Sequence, residues 1–309
     1  MRPTGADKLA VGSSGWPPAR LAGGPPARLA AGPRARLAAT IRPVDRMAEG
    51  YEKWWAPVIR PAALRVLDLI EPTVDGGATR IVDIGTGTGT LGIGAVERWP
   101  SVRATGVDAS GAMLEMARQR ADTRLSARDR PRYRTAVGFA DSLPYDDGTF
   151  DLAVSSFVLQ LVPSRAAALR ESNRVLRSGS TFAWVAWLRG GGKFAGDVIA
   201  DEVLDSAGFD PPAPDGRNGD LVSVKGAAAA MRRAGFQNVL ASEGLVEHAW
   251  DATGYLGFLT EFDEESLFGD LEDAEHDDLT GRIRERLEGL SADEMTLRLP
   301  IVYVSGRSR

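Results

Sequence analysis

The 309-residue sequence contains no cysteine and only two histidines. The lack of cysteine excludes disulfides and metal sites with thiolate ligands, and it gives no indication of an oxidising compartment. No apolar run approaches the roughly 20 residues that a membrane-spanning helix needs. We therefore expect a cytoplasmic protein without a bound metal and without a membrane span.

Positive charge is outnumbered by negative charge outside the first 46 residues. Residues 1–46 hold eight Lys/Arg and two Asp/Glu, so they carry a net charge of +6, whereas the rest of the chain carries −11. An acidic body is poorly suited to neutralising phosphates. This argues against a nucleic acid as the partner and favours a small molecule.

The N-terminal segment differs in composition from the rest. Similar Pro/Arg-Ala-Arg-Leu-Ala units start at positions 18, 26 and 34, and large apolar side chains are few. Such a segment buries too little surface to fold, so residues 1–46 are expected to form a disordered, low-complexity tail. A transit peptide is the alternative, because the segment is rich in arginine and poor in acids. We take Met47 as a candidate biological start and residues 47–309 as one folded domain.

Three alternate glycines mark the centre of that domain. Residues 81–84 are typical of a short buried strand, glycines follow at positions 85, 87 and 89, and residues 91–99 suit a helix. Glycine permits positive φ and close approach of a ligand to the backbone. A strand, a glycine turn and a helix start together predict a nucleotide-binding corner.

Strands and helices alternate after this corner. Further strands are expected at residues 101–107, 132–137, 152–156, 181–188, 236–248 and 297–304, and helices at 111–121, 165–176, 226–234 and 279–290. Ser110 is a candidate cap for the helix 111–121. The alternation predicts βαβ units in a parallel sheet, with the last strand as an antiparallel edge.

Three stretches interrupt this pattern. Residues 48–70 are expected to form two helices broken at prolines. Residues 189–224, which include a Pro-rich loop at 211–216, are interpreted as an insertion beside the ligand cleft and a candidate lid. The acidic run 261–278 is expected to be a solvated surface rather than a metal site.

The motifs resemble those of class I S-adenosylmethionine-dependent methyltransferases. Residues 83–89 are similar to the first motif of that family, and 107–110 followed by Met113 to its acidic second motif. Residues 141–151 resemble the stretch before strand four in the subgroup that includes ubiquinone/menaquinone-biosynthesis methyltransferases. The resemblance covers residues 47–245. It implies a Rossmann-like α/β fold with a seven-stranded, mostly parallel sheet, an antiparallel last strand and helices on both faces.

The resemblance also implies a site for S-adenosylmethionine. The glycines would approach the amino-acid end of the cofactor, Asp83 its ammonium, Asp108 the ribose hydroxyls, and Asp141 with Ser142 the adenine edge. Ser155 would line the floor of the cleft. The full set of expected contacts is Asp83, Gly85, Thr86, Gly87, Gly89, Asp108, Ala109, Asp141, Ser142 and Ser155. A structural alternative remains, because an acid after a strand can instead cap the next helix.

The sequence gives weaker indications of which residues contact the methyl acceptor. Tyr51, Trp55 and Trp187 are candidates to wall an apolar acceptor, although aromatic side chains of this kind also pack cores. His248 is a candidate base, with a structural histidine as the alternative. Many relatives carry a histidine pair after strand four, where this chain has Leu159-Gln160-Leu161. A relative's acceptor therefore does not carry over to this chain.

The expected activity is methyl transfer to a small organic acceptor by in-line displacement. Two alternatives stay open at this stage. Residues 87–92 formally match G-x-G-x-x-G with Asp108 at a suitable distance, which is typical of an NAD(P)-dependent oxidoreductase. A methyltransferase-like fold can also persist as a cofactor-binding protein without catalysis. The sequence carries no prediction of the oligomeric state.

Overall fold

The computed structural model describes residues 48–209 and 220–309. The predicted tail 1–46, Met47 and the predicted loop 211–216 lie outside the described residues. The described chain divides into two compact units. The larger unit contains residues 48–191, 220–247 and Arg298–Arg309, and the smaller contains residues 192–209 and His248–Leu297.

The described residues form a seven-stranded sheet with the order β3-β2-β1-β4-β5-β7-β6. Its strands are β1 Arg80–Ile84, β2 Arg103–Asp108, β3 Tyr133–Val137, β4 Phe150–Ser156, β5 Leu176–Trp187, β6 Gln237–Ala249 and β7 Thr296–Arg307. The four pairings from β3 through β5 are parallel, and β7 lies antiparallel to β5. This confirms the predicted α/β fold class with an antiparallel last strand. The prediction that this strand forms an edge was wrong, because β7 lies between β5 and β6.

Helices connect these strands. They are α1 Ala56–Asp75, α2 Thr90–Arg98, α3 Gly111–Arg124, α4 Arg165–Val175, α5 Ala195–Ser206, α6 Val224–Arg233, α7 Ala252–Phe258, α8 Glu265–Gly269 and α9 Asp273–Glu288. Ser110 accepts a hydrogen bond from the Met113 amide (3.1 Å) and confirms the predicted cap of α3. No helix in the described part of the chain is both long and apolar enough to cross a membrane.

The prediction of two helices broken at prolines was wrong. After a π-helical turn at Tyr51–Trp55, α1 runs continuously from Ala56 to Asp75 and contains Pro61 and Pro72. A proline inside a helix costs about 3 kcal/mol because one hydrogen bond is lost and the ring clashes with a carbonyl. The helix offsets this by burying an apolar face that includes Val66 and Ile70, each worth about 1.5–3 kcal/mol.

The core of the larger unit lies against the central strands. Val82 and Ile84 of β1, Ala153 of β4, and Phe182 and Trp184 of β5 are fully buried in one cluster. Strands buried in this way are apolar along most of their length, as expected for a parallel sheet covered by helices. The core fixes the positions at which β1 and β4 end, and the candidate site is built on those ends.

The smaller unit packs α5 with the segment that follows β6. The Tyr255 hydroxyl of α7 donates to Asp197 Oδ1 of α5 (2.7 Å). Arg286 of α9 forms an ion pair with Glu202 of α5. The helix of the predicted insertion 189–224 is therefore part of a unit that also includes α7 and α9. Within the described residues, no group of His, Cys, Asp or Glu side chains is suited to hold a metal ion, and this includes the acidic run.

Two carboxyls of the smaller unit are held in an unfavourable environment for charge. Burial raises the pKa of Asp201 on α5 to about 6, with nearby Glu202 adding to the shift and Lys193 opposing it. Burial also raises the pKa of Asp263, and Glu264, Asp197 and Asp201 raise it further. These groups bind protons more tightly in the folded than in the unfolded chain, so they stabilise the fold only when protonated.

We predict that Asp201→Asn flattens the pH dependence of stability. The folded pKa of Asp201, about 6, lies above the ordinary value of 3.8 for an aspartic acid side chain. Its contribution is fully present below about pH 4 and is lost as the pH rises through 6. Thermal unfolding between pH 4 and 7 should show a smaller decline for Asp201→Asn than for the wild type. Asp205→Asn, an exposed change on the same helix, is the control and should keep the wild-type slope. Equal slopes for all three proteins would contradict this prediction.

Candidate functional site

The glycine loop, residues 85–89, connects the end of β1 to the start of α2. The amides of Gly85 and Thr86 both donate to the carbonyl of Val107 on β2 (2.8 and 2.9 Å). Gly85, Gly87 and Gly89 have positive φ values of 67°, 51° and 86°. The loop is therefore fixed to the neighbouring strand in a backbone conformation that other residues rarely adopt.

Two of these glycines serve different purposes. A Cβ added to Gly85 would lie 2.3 Å from Cγ2 of Val158, which follows β4. A Cβ added to Gly87 would meet no atom of the described residues within 4 Å. Gly85 thus permits close packing within the protein, whereas the backbone at Gly87 is open to an approaching ligand.

Asp83 hydrogen-bonds the glycine loop and the helix that follows it. Its side chain is 1% exposed, and Oδ2 accepts hydrogen bonds from Thr86 Oγ1 (2.6 Å) and from the Gly92 amide (2.9 Å). Burial raises the pKa of Asp83 to about 6, although the two hydrogen bonds oppose the shift. One carboxylate therefore joins β1 to the glycine loop and to the first turn of α2. Its contact with a ligand ammonium stays a prediction.

Asp108 joins the loop to the next βα unit. Its Oδ2 accepts from the Gly87 amide (2.8 Å) and its Oδ1 from the Ser110 amide (2.9 Å). The side chain is partly buried at the end of β2. Each carboxylate oxygen can accept a second hydrogen bond. Asp108 can therefore hydrogen-bond the Gly87 and Ser110 amides and still accept hydrogen bonds from a ligand.

A network that sequence reasoning missed ties the N-terminal segment to the glycine loop. Glu52 accepts from Thr88 Oγ1 (2.6 Å) and pairs with Arg60 (3.0 Å) and Arg120 (3.1 Å). Arg120 also donates to the Thr88 carbonyl (2.9 Å). Nothing in the spacing of these residues indicates the network. Burial raises the pKa of neighbouring Tyr51, and the charges of Glu52 and Asp108 raise it further. The Tyr51 hydroxyl is thus a neutral group near the loop.

An aromatic wall, defined here as Trp55, Phe157 and Trp187, lies in the same unit. The ring centroids of Trp55 and Trp187 are 6.1 Å apart, and those of Phe157 and Trp187 are 4.4 Å apart. All three side chains are buried. The structure therefore brings together two of the three predicted acceptor residues, and Tyr51 begins the helical turn that ends at Trp55.

The other predicted contacts are distributed around this centre. Asp141 and Ser142 are exposed after β3, and Ala109 is partly exposed beside Asp108. Ser155 is fully buried, and its hydroxyl donates to the Ile84 carbonyl (2.8 Å). This favours the structural alternative for Ser155, because its only proton joins β4 to β1. The cofactor contacts of these residues stay predictions.

His248 belongs to the smaller unit. Its ring packs edge-to-face against Trp250, with a centroid distance of 4.4 Å. Burial lowers its pKa, so the imidazole is neutral at physiological pH. A neutral imidazole is able to accept a proton, but the packing against Trp250 also suits a structural role. The base role stays a prediction.

Comparison with known proteins identifies the domain that this site belongs to. Residues 81–179, which contain both the glycine loop and Asp108, match the family described as "Methyltransferase domain". This part of the chain is therefore similar to a methyltransferase domain. The match supports the family expected from the motifs.

Curated relatives match segments of this chain. A ubiquinone/menaquinone biosynthesis C-methyltransferase of Geobacter sp. is 36% identical over 105 residues, which cover 33% of this chain and 43% of the relative. A malonyl-[acyl-carrier protein] O-methyltransferase of Geobacter sulfurreducens is 34% identical over 182 residues, which cover 57% of this chain and 63% of the relative. The matches thus span less than two thirds of these relatives.

Solved structures share the fold of the methyltransferase domain. The YcgJ protein of Bacillus subtilis superposes with a TM-score of 0.51 at 20% identity, covering 79% of this chain and 98% of that chain. Phosphoethanolamine N-methyltransferase 2 of Haemonchus contortus gives a TM-score of 0.51 at 16% identity. The match covers 88% of this chain and 59% of that chain. At such identities the likeness concerns the fold alone.

We predict that alanine at Gly85 is more damaging than alanine at Gly87. Both changes force a side chain into left-handed backbone, at about 1–2 kcal/mol each. Gly85→Ala also clashes with Val158, which should add about 1–3 kcal/mol. Chemical denaturation of the two variants measures the difference, with Gly87→Ala as the matched control. Equal losses of stability would show that Val158 does not press on the loop.

Proposed function

We propose that this chain is an S-adenosylmethionine-dependent methyltransferase that acts on a small organic acceptor. The observation that carries the proposal is the Asp108 carboxylate, held beside the open backbone of Gly87 by the Gly87 and Ser110 amides. A carboxylate fixed in this way can accept from the two adjacent hydroxyls of a ribose. Membership of the methyltransferase domain supports S-adenosylmethionine as the ribose-bearing ligand.

The residues present fit this cofactor. Gly87 leaves room for a ligand against the loop, and the start of α2 directs backbone N–H groups and the positive end of its dipole toward the same side. In the proposal, Gly85, Thr86, Gly87 and Gly89 contact the amino-acid end, Asp83 orients the ammonium, Asp108 and Ala109 hold the ribose, and Asp141 and Ser142 contact the adenine edge.

S-adenosylmethionine supplies a methyl sulfonium that is already activated for in-line displacement. The main task of the protein is then to hold the acceptor atom close and aligned. The proposed apolar contacts of the acceptor are the aromatic wall and Tyr51, which lie in the same unit as the glycine loop. His248 is the proposed base for acceptors that must lose a proton. The acidic body favours a small acceptor over a nucleic acid, and the cysteine-free composition suits a cytoplasmic location.

We predict that S-adenosylhomocysteine binds the wild-type protein and that Asp108→Ala abolishes most of this affinity. The loss of two charge-assisted hydrogen bonds should cost roughly 2–5 kcal/mol of binding free energy. Titration calorimetry measures both affinities. Glu115→Gln removes a negative charge from the exposed face of α3 and is the control, which should bind as the wild type does.

The alternatives are distinct outcomes of the same experiment. Binding of NAD or NADP, with no binding of S-adenosylhomocysteine, would overturn the proposal in favour of an oxidoreductase. Cofactor binding without methyl transfer would indicate a non-catalytic member of the family. The transfer assay should include acceptors that can be methylated at carbon and acceptors that can be methylated at oxygen. The relatives are named as a C-methyltransferase and an O-methyltransferase.

A further inference from the structure

Gln160 is an unusual residue for its position. It lies in a tight turn after β4, in which the Leu161 amide donates to the Val158 carbonyl (2.8 Å). Turn residues are normally exposed, but Gln160 is only 6% exposed. Both its side-chain amide oxygen and nitrogen are buried, and neither has a hydrogen-bond partner among the described residues. A buried amide without partners destabilises a fold unless another molecule satisfies it.

The turn that carries Gln160 lies between the two halves of the candidate site. Val158, at the start of the turn, packs directly on Gly85 of the glycine loop. Phe157, one residue earlier, stacks on Trp187 of the aromatic wall. β1 and β4 are adjacent strands at the point where the strand order reverses, and ligands of such sheets bind in the crevice between their carboxyl ends.

The turn is held in place by its own contacts. Phe157 has a φ of 54°, a left-handed conformation that is strained for a bulky residue, and its amide donates to the Val185 carbonyl (2.9 Å). Arg165 Nε donates to the Leu159 carbonyl (3.0 Å). Strained backbone of this kind persists where the surroundings fix it, often at ligand sites. The amide of Gln160 is therefore carried by a fixed backbone.

We propose that Gln160 is a specificity-determining residue that hydrogen-bonds a neutral hydroxyl on a flat, apolar acceptor lying against the aromatic wall. This inference rests on the proposed function. The amide offers both an acceptor oxygen and donor N–H groups. A hydroxyl both donates and accepts, so it can satisfy either side of the amide. A carboxylate only accepts and an ammonium only donates, so each would leave one side of the amide unsatisfied.

Paired ligands that differ by one hydroxyl test the inference. We would measure binding of 2-naphthol and naphthalene to the complex with S-adenosylhomocysteine by ligand-observed NMR. The wild type should prefer 2-naphthol by about tenfold, the value of one neutral hydrogen bond. Gln160→Met, which keeps the volume but removes the amide, should abolish this preference. Gln119→Met, the same change at an exposed position on α3, should retain it.

Stability separates this role from a structural one. Removal of an unsatisfied buried amide should leave the thermal midpoint of Gln160→Met equal to or above that of the wild type. A lower midpoint, a missing preference in the wild type, or a preference that survives in Gln160→Met would overturn the inference. If the wild type fails to bind S-adenosylhomocysteine, the proposed function itself fails. Cofactor binding without a Gln160-dependent preference overturns the inference alone.

Discussion

The hydrogen bonding of the buried Asp83 carboxylate is the interaction on which the site depends. A carboxylate taken out of water is costly unless hydrogen bonds compensate it. Here the Thr86 hydroxyl and the Gly92 amide supply that compensation, and both lie on the glycine loop or the helix that follows. The loop and the helix start are therefore fixed relative to β1. Without this anchor, Gly87 would not be held against Asp108, and the proposed ribose site would lose its geometry.

The order of the strands places the glycine loop beside a potential ligand crevice. β1 and β4 are neighbours, but the chain leaves them in different directions, so their carboxyl ends border a crevice. The glycine loop forms one side, and the turn after β4 forms the other. Val158 packs directly on Gly85, so the turn and the glycine loop are in contact at this point. A cofactor on the glycine loop and an acceptor at the aromatic wall would then lie next to each other. In-line transfer requires this proximity.

The features that the sequence predicted are local or periodic. Alternating strands and helices identified the parallel sheet, and a serine before an apolar run identified the cap of α3. The errors and omissions are non-local. The continuity of α1 through Pro61 depends on burial of its apolar face, and the Glu52–Arg120–Thr88 network joins residues far apart in the chain. The burial of Gln160 also escapes prediction, because nothing in the sequence marks a turn residue whose buried amide has no partner among the described residues.

A crystal structure with S-adenosylhomocysteine tests the central claim most directly, because the claim concerns which atoms of this chain hold the ligand. Our account predicts that both ribose hydroxyls contact the Asp108 carboxylate while Asp83 keeps its bonds to Thr86 and Gly92, with the sulfur placed toward the turn that carries Gln160. Electron density for the ligand at any other surface, or a ribose bound without Asp108, would contradict the account.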